Sequence, residues 1–370
     1  LLSEISGSGC SVCSFRGRNL VNFSSALAIP SHVQSLDLSY NLLSGSFDGS
    51  QLPGSLSIVD LSSNYLTSFE LGEGGNLKDL FLRNNSLSTF NMSSGSQLRV
   101  LDVSDNRITG DCGSFLSDVR PNRGAQTLNL ANNSITGECE TPSGTDKFIA
   151  DYTYVSGVRT SADINTISCN YCHISEFVFP PGAAARKIHL QGNLLKTLTV
   201  NSSHIDRIDV SFNSITSVTF VDGSTTALSD LNASHNLIRM DGYQPNGGTV
   251  EVLDLSHNHL SNDIDLNDLI SNKSSEVYVS NNKILRFVWL TSPLEPQLSV
   301  FDASANIIAS VSNFNGGVAF SQKLNFSSNI IHGSIGDAFA SCNGCEVLDL
   351  SHNLIDNISG SFDASISEVH

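Results

Sequence analysis

Apolar and polar side chains alternate in short stretches that recur along the chain from about residue 10. Each stretch contains an asparagine, once replaced by cysteine, with apolar residues three and five positions before it and leucine or isoleucine two positions after it. These ladder positions are Asn41, Asn64, Asn85, Asn106, Asn133, Cys172, Asn193, Asn213, Asn236, Asn258, Asn282, Asn306, Asn329 and Asn353. The alternation predicts a short strand with one inward face in every copy, and such a strand cannot bury that face alone.

The repeated phrase has the form L-x-x-L-x-L-x-x-N/C-x-L, as in Leu253, Leu255, Asn258 and Leu260. With this spacing the chain resembles the leucine-rich repeat family over nearly its whole length. The resemblance implies a leucine-rich repeat solenoid of the α/β horseshoe class, whose stacked coils form a parallel β-sheet on the concave face. We therefore expect an N-terminal cap over residues 1–32 and about 14 repeats over residues 33–370, with a longer insertion near residues 141–163.

The segments between each ladder position and the next strand differ from copy to copy. Residues 43–47, 108–112, 135–139 and 331–335 resemble the convex segments of plant-type repeats, whereas residues 66–69 and 87–90 look like shorter variants. Short connections favour turns, 3₁₀ pieces or extended strands over full helices. An irregular convex face with little α-helix is therefore predicted.

The ladder asparagines are predicted to point inward. Where the chain turns out of a strand, backbone N–H and C=O groups would otherwise be buried without partners, and an amide side chain can satisfy both kinds of group. Cys172 can take this place because a thiol is small and a weak hydrogen-bond donor.

The eight cysteines favour an oxidising compartment. Cys112 and Cys139 each follow a ladder asparagine by six residues, which places them one coil apart on the same wall, so we predict a disulfide between them. The other six form C-x-x-C pairs that many coils separate, which argues against a shared zinc site and favours structural thiols or local disulfides. These pairs are Cys10 with Cys13, Cys169 with Cys172 and Cys342 with Cys345.

Residues 10–41 resemble the N-terminal cap of extracellular leucine-rich repeat proteins, although two of the usual four cysteines are missing. The match is carried by Val12, Cys13, Ser14, Arg16, Gly17, Leu20, Ile29 and Pro30. This resemblance and the cysteines imply an extracellular location, in secretions, at the cell surface or in a wall or matrix. The sequence starts at Leu1 without an initiator methionine or a signal-peptide pattern, so any export signal is expected to lie outside it.

Composition narrows the classes of function. A net charge of −17 repels polyphosphate and argues against nucleic acid as a partner. No run of about 18 apolar residues is present, so no membrane span is expected. The sequence lacks a nucleophile elbow, an HExxH motif, a phosphate-binding loop and a dinucleotide fingerprint. We therefore expect a protein that is not an enzyme and that has no cofactor or metal.

The outward position between the two apolar residues of each strand is dominated by aspartate. It is occupied by Asp37, Asp60, Phe81, Asp102, Asn129, Ser168, His189, Asp209, Asn232, Asp254, Tyr278, Asp302, Asn325 and Asp349. The next outward position is mostly serine. This monotony favours a structural and solubilising role, because a recognition surface needs variety and anchor residues.

The exceptions to that monotony are the candidate binding residues, since aromatic and basic side chains are enriched at interfaces. They are Phe81, Arg83, Arg186, Lys187, His189, Arg207 and Tyr278, together with Tyr152, Tyr154 and Arg159 from the insertion. The insertion arises from the longest ladder interval, 39 residues from Asn133 to Cys172. It is either an island that contributes to ligand binding, as in some extracellular family members, or a solvated loop or degenerate extra coil.

Nine sequons could accept N-linked glycan if the chain is secreted. They begin at Asn22, Asn84, Asn91, Asn132, Asn201, Asn232, Asn272, Asn325 and Asn357. Asn232 and Asn325 fall in outward strand positions, where a glycan would obstruct a partner.

The resemblance implies an extracellular, non-enzymatic protein that binds a protein, peptide or glycan ligand. The alternative is a structural glycoprotein of a cell wall, matrix or filament that contacts copies of itself. In that case the last coil, near Leu348 and Leu350, would offer an uncovered edge to the next molecule.

Overall fold

A computed structural model of the chain describes residues 9–22, 29–71, 76–92, 98–118, 126–160, 164–178, 185–201, 204–221, 227–288, 297–311, 319–335, 339, 344–359, 362 and 364–370. The chain forms two compact units. The first comprises Leu1–Ser175 with Gly182–Ala185, and the second comprises Glu176–Pro181 with Arg186–His370.

The first unit is a stack of coils, each contributing one strand to a parallel main sheet. In order of hydrogen bonding these strands are β1 (Val12–Ser14), β2 (Ser35–Asp37), β4 (Ile58–Asp60), β6 (Asp79–Phe81), β8 (Val100–Asp102), β10 (Thr127–Asn129), β12 (Lys147–Ile149) and β14 (Thr166–Ser168). The central residue of each strand is apolar and buried, as Leu36, Val59 and Leu80 show. The predicted one-sided alternation is therefore present.

After the ladder position, the chain of the first unit runs into a second set of parallel strands. They are β3 (Ser44–Asp48), β5 (Tyr65–Leu71) and β7 (Thr89–Met92), and then β9 (Thr109–Asp111), β11 (Ser134–Glu140) and β13 (Tyr154–Arg159). Helix α1 spans Cys112–Asp118, and a 3₁₀ turn spans Gly49–Gln51. Extended connections thus outweigh helical ones, as predicted.

The second unit repeats this arrangement. Its main sheet contains β15 (Lys187–His189), β17 (Arg207–Asp209), β19 (Ala227–Asn232), β21 (Thr249–Asp254), β23 (Glu276–Tyr278), β25 (Gln297–Asp302), β26 (Ala319–Asn325), β28 (Val347–Asp349) and β30 (Glu368–Val369). Its outer strands are β16 (Thr197–Val200), β18 (Ser217–Phe220) and β20 (Tyr243–Gln244), β22 (Ser261–Asp265) with β24 (Lys283–Val288), and β27 (His332–Ser334) with β29 (Leu354–Asn357). Helix α2 is Leu266–Leu269, and a 3₁₀ turn spans Met240–Gly242.

The ladder asparagines point inward and bind two coils at once. The Nδ2 group of Asn258 donates to the carbonyl oxygens of Leu255 (3.1 Å) and Ser256 (3.1 Å) in its own coil, and to that of Ala233 (3.0 Å) in the preceding coil. Its Oδ1 accepts from the backbone N–H of Ile238 (2.9 Å) in the preceding coil. The predicted satisfaction of turn groups is correct, and the amide also joins neighbouring coils.

The long interval between Asn133 and Cys172 contains an additional coil of ordinary size. Strand β12 pairs with β10 on one side and β14 on the other, with Phe148 buried in the core. Thr153 occupies the ladder position, where its hydroxyl donates to the carbonyl oxygen of Ala150 (2.7 Å), and Val155 is buried two residues later. The residues described between 141 and 160 therefore belong to the array and do not form an island inserted into it.

The structure contains the predicted disulfide between Cys112 and Cys139, with Cα atoms 5.0 Å apart. Cys10 pairs with Cys13, and Cys169 pairs with Cys172, so the ladder cysteine is part of a local bridge. Cys345 is buried, and Cys342 lies outside the described residues. Strand β1, which contains Cys13, pairs in register with β2 and so covers the first repeat.

The last repeat is covered as well. Strand β30 pairs with β28, and the N–H of Leu350 donates to the carbonyl oxygen of His370 (2.9 Å). Leu348 and Leu350 are buried. The structural alternative required an uncovered apolar edge at Leu348 and Leu350 for contact with the next molecule. These two residues do not provide such an edge. In the described part of the chain, no helix has the length and apolar character needed to cross a membrane.

Candidate functional site

The aspartates on the outward face of the main sheet are occupied by bonds within their own coils. Oδ1 of Asp37 accepts from the N–H (2.9 Å) and the hydroxyl (2.6 Å) of Ser39. The same pair of bonds joins Asp209 to Ser211 and Asp349 to Ser351. Burial opposes ionisation of Asp37, but the bonds from Ser39 and Ser14 and the charge of Arg16 together outweigh it and hold its carboxyl pKa below the ordinary value. These carboxylates therefore terminate strands, which is the structural role that the monotony indicates.

Phe81 and Arg83, two of the predicted binding residues, lie on β6 and just after it. Phe81 is half-buried, whereas Arg83 is exposed and its Nε lies 2.8 Å from Oδ2 of Asp105. Arg83 and Asp105 border an open groove of about 660 Å³. Two sequon asparagines, Asn84 and Asn132, also border the groove, and Asn132 Nδ2 donates to Asp105 Oδ1 (2.8 Å). A glycan on either asparagine would cover this groove.

Tyr152 and Tyr154, from the additional coil, form an exposed aromatic cluster with Tyr171 and His173 of the next coil. The rings of Tyr152 and Tyr171 are stacked with centroids 5.0 Å apart, and those of Tyr154 and His173 are 5.3 Å apart. Tyr152 remains 59% exposed and Tyr154 remains 54% exposed. Arg159, the third candidate from this segment, instead pairs with Glu138 (2.9 Å) on β11.

The remaining candidates lie in the second unit. Arg186 and Lys187 are exposed at the start of β15, and Lys187 is in register with Arg207 on β17. His189 is half-buried and in register with Asp209. These residues line the beginnings and ends of two adjacent strands.

Tyr278 is less available than its outward position suggests. Its hydroxyl donates to Oε2 of Glu276 (2.7 Å), and the residue is half-buried on β23. Burial, together with this bond to a carboxylate, raises the pKa of Tyr278 above its ordinary value.

Two sequon asparagines occupy the outward strand positions that the sequence indicates. Oδ1 of Asn232 accepts from the hydroxyl of Ser234 (2.7 Å), and Oδ1 of Asn325 accepts from that of Ser327 (2.7 Å). Asn232 and Asn325 thus replace the aspartates of other repeats in the same strand-terminating bonds. Their acceptor role explains why an amide can stand at a position where aspartate is common.

A third row of residues, the turn column, was missed by sequence reasoning. It consists of the residues immediately before the ladder positions, whose backbones have left-handed φ angles of 53–68°. In the first unit these are Tyr40, Ser63, Asn84, Asp105, Asn132, Tyr152 and Tyr171, and in the second they are Gly192, Phe212, His235, His257, Asn281, Ala305, Ser328 and His352. The sequence does contain a sign of this column. Aromatic residues and histidine recur at the middle position of the S-x-N phrase, which is the residue before the ladder asparagine.

The turn column of the second unit contains a ring stack formed by Phe212, His235 and His257. Ring centroids are 4.1 Å apart between Phe212 and His235, and 4.0 Å apart between the two histidines, with interplanar angles of 10°. Burial, followed by the neighbouring His257, lowers the pKa of His235 below its ordinary value. Asp254 opposes this shift without cancelling it.

We expect the neutral form of His235 to be favoured by folding. Because its pKa is lower in the folded chain than in the unfolded chain, its stabilising contribution is present above about pH 6.5 and is lost as the pH falls through the lowered value. His257→Asn should raise the pKa of His235 by removing a like charge, and Asn281 shows that asparagine suits this backbone. NMR titration of the histidine ring signals measures the pKa of His235 in the wild type and in the variant. An unchanged His235 pKa in the variant would contradict the influence of His257.

Comparison with known proteins agrees with this architecture. The sequence profile described as Leucine Rich Repeat matches residues 97–118. No curated protein sequence matches the chain at a significant level.

Among solved structures, the chain is similar to the plant peptide hormone receptor RGFR1 in complex with RGF2, with a TM-score of 0.60 and 18% identity over 96% of this chain. It spans 61% of that receptor chain, less than two thirds of its length. A leucine-rich repeat protein of Leptospira interrogans has a TM-score of 0.57 and 15% identity, covering 96% of this chain and 94% of its own. YopM, a leucine-rich effector protein from Yersinia pestis, has a TM-score of 0.54 and 16% identity, covering 100% of this chain and 90% of its own.

The similar structures differ in source, and at these identities they share the fold. In this chain that fold consists, in both units, of a parallel strand per coil with an inward ladder residue at its end. Together with the sequence repeat and the profile that matches residues 97–118, this shows that the chain has the leucine-rich repeat fold.

Proposed function

We propose that this chain is an extracellular, non-enzymatic recognition protein that binds a protein or peptide through the aromatic residues of its turn columns. The observation that carries the proposal is the contrast between two rows of outward residues. The strand aspartates are engaged by their own serines, whereas Tyr152, Tyr171 and Phe212 keep large exposed ring surfaces. Exposed aromatic groups at fixed spacing are typical anchors of protein interfaces.

The backbone of the turn column strengthens this argument. Residues other than glycine, asparagine and aspartate pay about 1–2 kcal/mol for a left-handed conformation. Tyr152 (φ 56°), Tyr171 (φ 53°) and Phe212 (φ 55°) nevertheless occupy it. Ring stacking offsets part of that cost. A bulky, strained and exposed side chain is often retained for function.

The way the rings stack favours a protein or peptide over a glycan. The rings of Tyr152 and Tyr171 face each other, so their edges and hydroxyl groups remain at the surface. These groups suit the mixed apolar and hydrogen-bonding contacts of a protein interface. A sugar that stacks on an aromatic face would find fewer open faces in this cluster.

Two further observations support the proposal. The disulfides Cys10–Cys13, Cys112–Cys139 and Cys169–Cys172 are typical of secreted and cell-surface proteins. RGFR1, whose fold is similar, is a peptide hormone receptor, and extending peptide binding from it to this chain is part of our proposal. Self-association through the final coil has less support, because Leu348 and Leu350 are buried beneath β30.

The proposal can be tested with a displayed library of random peptides selected on the intact glycosylated chain. We expect enrichment of a peptide family whose binding falls at least tenfold in the Tyr152→Ser and Tyr171→Ser variants, because loss of an interface tyrosine commonly costs more than 1 kcal/mol. Tyr65→Ser is the matched control, since Tyr65 is 58% exposed on β5 and lies outside the turn column. Equal losses in all three variants, or capture of glycans from an array and of no peptide, would contradict the proposal.

A further inference from the structure

The ring stack of the second unit has one end next to a glycine. The N–H of Gly192 donates to the carbonyl oxygen of Ser211 (2.9 Å), just as the N–H of Phe212 donates to that of Ser234 (3.1 Å) one coil later. Gly192 therefore holds the turn-column position beside Phe212, with a left-handed φ of 68°. His235 covers one face of the Phe212 ring, and position 192 supplies no side chain to cover the other. Phe212 is 48% exposed.

The first unit contains the same backbone arrangement with its ring face covered. The N–H of Gly17 donates to the carbonyl oxygen of Ser39 (3.0 Å), and Gly17 has a φ of 65°. Gly17 thus stands beside Tyr40 as Gly192 stands beside Phe212. The guanidinium carbon of Arg16 lies 3.9 Å from the centroid of the Tyr40 ring, and Nη1 of Arg16 donates to Ser39 Oγ (3.1 Å). The chain itself therefore fills the space above this glycine with an arginine.

The polar groups around the two glycines also correspond. Asp37 accepts from Ser39 in the first unit, and Asp209 accepts from Ser211 in the same way in the second. The residue before the glycine differs, because Arg16 is replaced by the neutral Gln191. The second unit thus has the ring, the serine and the carboxylate of this constellation, and lacks the cation.

Carboxylates and cations both lie on the strands beside this place. Burial, followed by the charges of Asp209 and Asp254 on the neighbouring strands, raises the pKa of Asp230. Arg207 offsets part of this charge, Arg186 and Lys187 lie at the start of β15, and the chain as a whole carries −17. A planar guanidinium can stack on an aromatic face and form a pair with a carboxylate, which a lysine ammonium does less well.

We propose that the face of Phe212 above Gly192 receives an arginine side chain from a peptide or protein partner, with Ser211 and Asp209 as its polar contacts. This inference rests on the proposed function and specifies the type of side chain that one part of the recognition surface binds. The arrangement of Arg16 over Tyr40 is its internal precedent.

The test uses the full-length chain and three blocked tripeptides, glycine-X-glycine, in which X is arginine, lysine or citrulline. Citrulline keeps the planar shape of arginine without its charge. NMR titration should show the arginine peptide shifting the ring signals of Phe212 and His235, with affinity at least fivefold above that of the citrulline peptide. The lysine peptide should fall between them. Equal binding of arginine and citrulline peptides, or shifts confined to other residues, would overturn the proposal.

Two variants should block the site from within the chain. Gln191→Arg recreates the pairing of Arg16 with Tyr40 in cis, and Gly192→Tyr places a ring on a left-handed backbone of the kind that Tyr171 (φ 53°) and Phe212 (φ 55°) already adopt. Each should weaken arginine-peptide binding at least fivefold, whereas Gln191→Ala should leave it unchanged. A Gln191→Arg chain that retains its spectrum of dispersed amide signals and binds like the wild type would refute the site.

The two proposals can fail separately. If library peptides depend on Tyr152 and Tyr171 but are indifferent to Gln191→Arg and carry no common arginine, the proposed function stands and the arginine site is wrong. If no library peptide is captured while the tripeptides show the expected order and the expected blocking, the arginine site stands and the broader function is wrong.

Discussion

Replacing Asn258 with leucine should lower the free energy of unfolding by about 3–5 kcal/mol, although it adds apolar volume to the core. The amide bonds four backbone groups in two coils, among them the N–H of Ile238 and the carbonyl oxygen of Ala233. Leucine can neither donate nor accept, so the N–H of Ile238 would be buried without a partner at about 1–3 kcal/mol, and the three carbonyl oxygens would each lose one of two donors, as Ala233 would keep Asn236. Denaturant unfolding measures the loss, and amide hydrogen exchange should locate it in the coils that contain Ile238 and Asn258.

Asn281→Ala provides the matched control. Asn281 is exposed in the turn column, and Ala305 holds the same position of the next coil at nearly the same φ. We expect its effect to be below about 1 kcal/mol, as for most exposed substitutions. A control as destabilising as Asn258→Leu would mean that the cost arises from the turn in general, and the account of the inward amide would then be wrong.

Removal of the Cys112–Cys139 disulfide, by changing both residues to alanine, should destabilise the first unit by about 3 kcal/mol. The bridge closes a loop with a sequence separation of 27, and the entropy it removes from the unfolded chain grows with loop length. Both cysteines are fully buried, so the substitution also loses packing. Thermal unfolding of the oxidised wild type and of the double variant gives the difference.

The Cys10–Cys13 bridge is the corresponding control, because it spans a sequence separation of only 3. Changing both residues to alanine should cost about half as much or less. Peptide mapping of unreduced material provides an independent check, since it should recover the segment containing Cys112 linked to that containing Cys139. Free thiols at both positions would contradict the structure.

Much of the fold was predictable because contacts in a repeat array occur between residues about one coil apart. A constant sequence distance therefore encodes which residues meet. The inward asparagines follow from the alternation, and the meeting of Cys112 with Cys139 follows from their equal distance from Asn106 and Asn133. These inferences require only the position of each residue within its repeat. They do not require the orientation of side chains on the outer surface.

The sequence left the additional coil as one of several alternatives, because the repeat pattern has asparagine or cysteine at the ladder position. Thr153 fills that position with a hydroxyl that donates to the carbonyl three residues earlier. The surrounding apolar residues, Phe148, Ala150 and Val155, had the correct spacing, and 39 residues is close to two ordinary coils. The island alternative stayed open because the repeat pattern was too strict about one residue type.

The sequence by itself determined the repeat, the inward face of each strand and the pairing of Cys112 with Cys139, because each depends on spacing along the chain. The tertiary structure alone decided which outward residues form a surface. At the turn column a left-handed backbone redirects the side chain, and stacking then joins rings from successive coils, as in Phe212 with His235. Alternation of apolar and polar residues indicates whether a side chain faces the core. It does not indicate which surface residue of the next coil that side chain contacts. The position of Gly192 beside Phe212 could therefore be recognised only in the stacked coils.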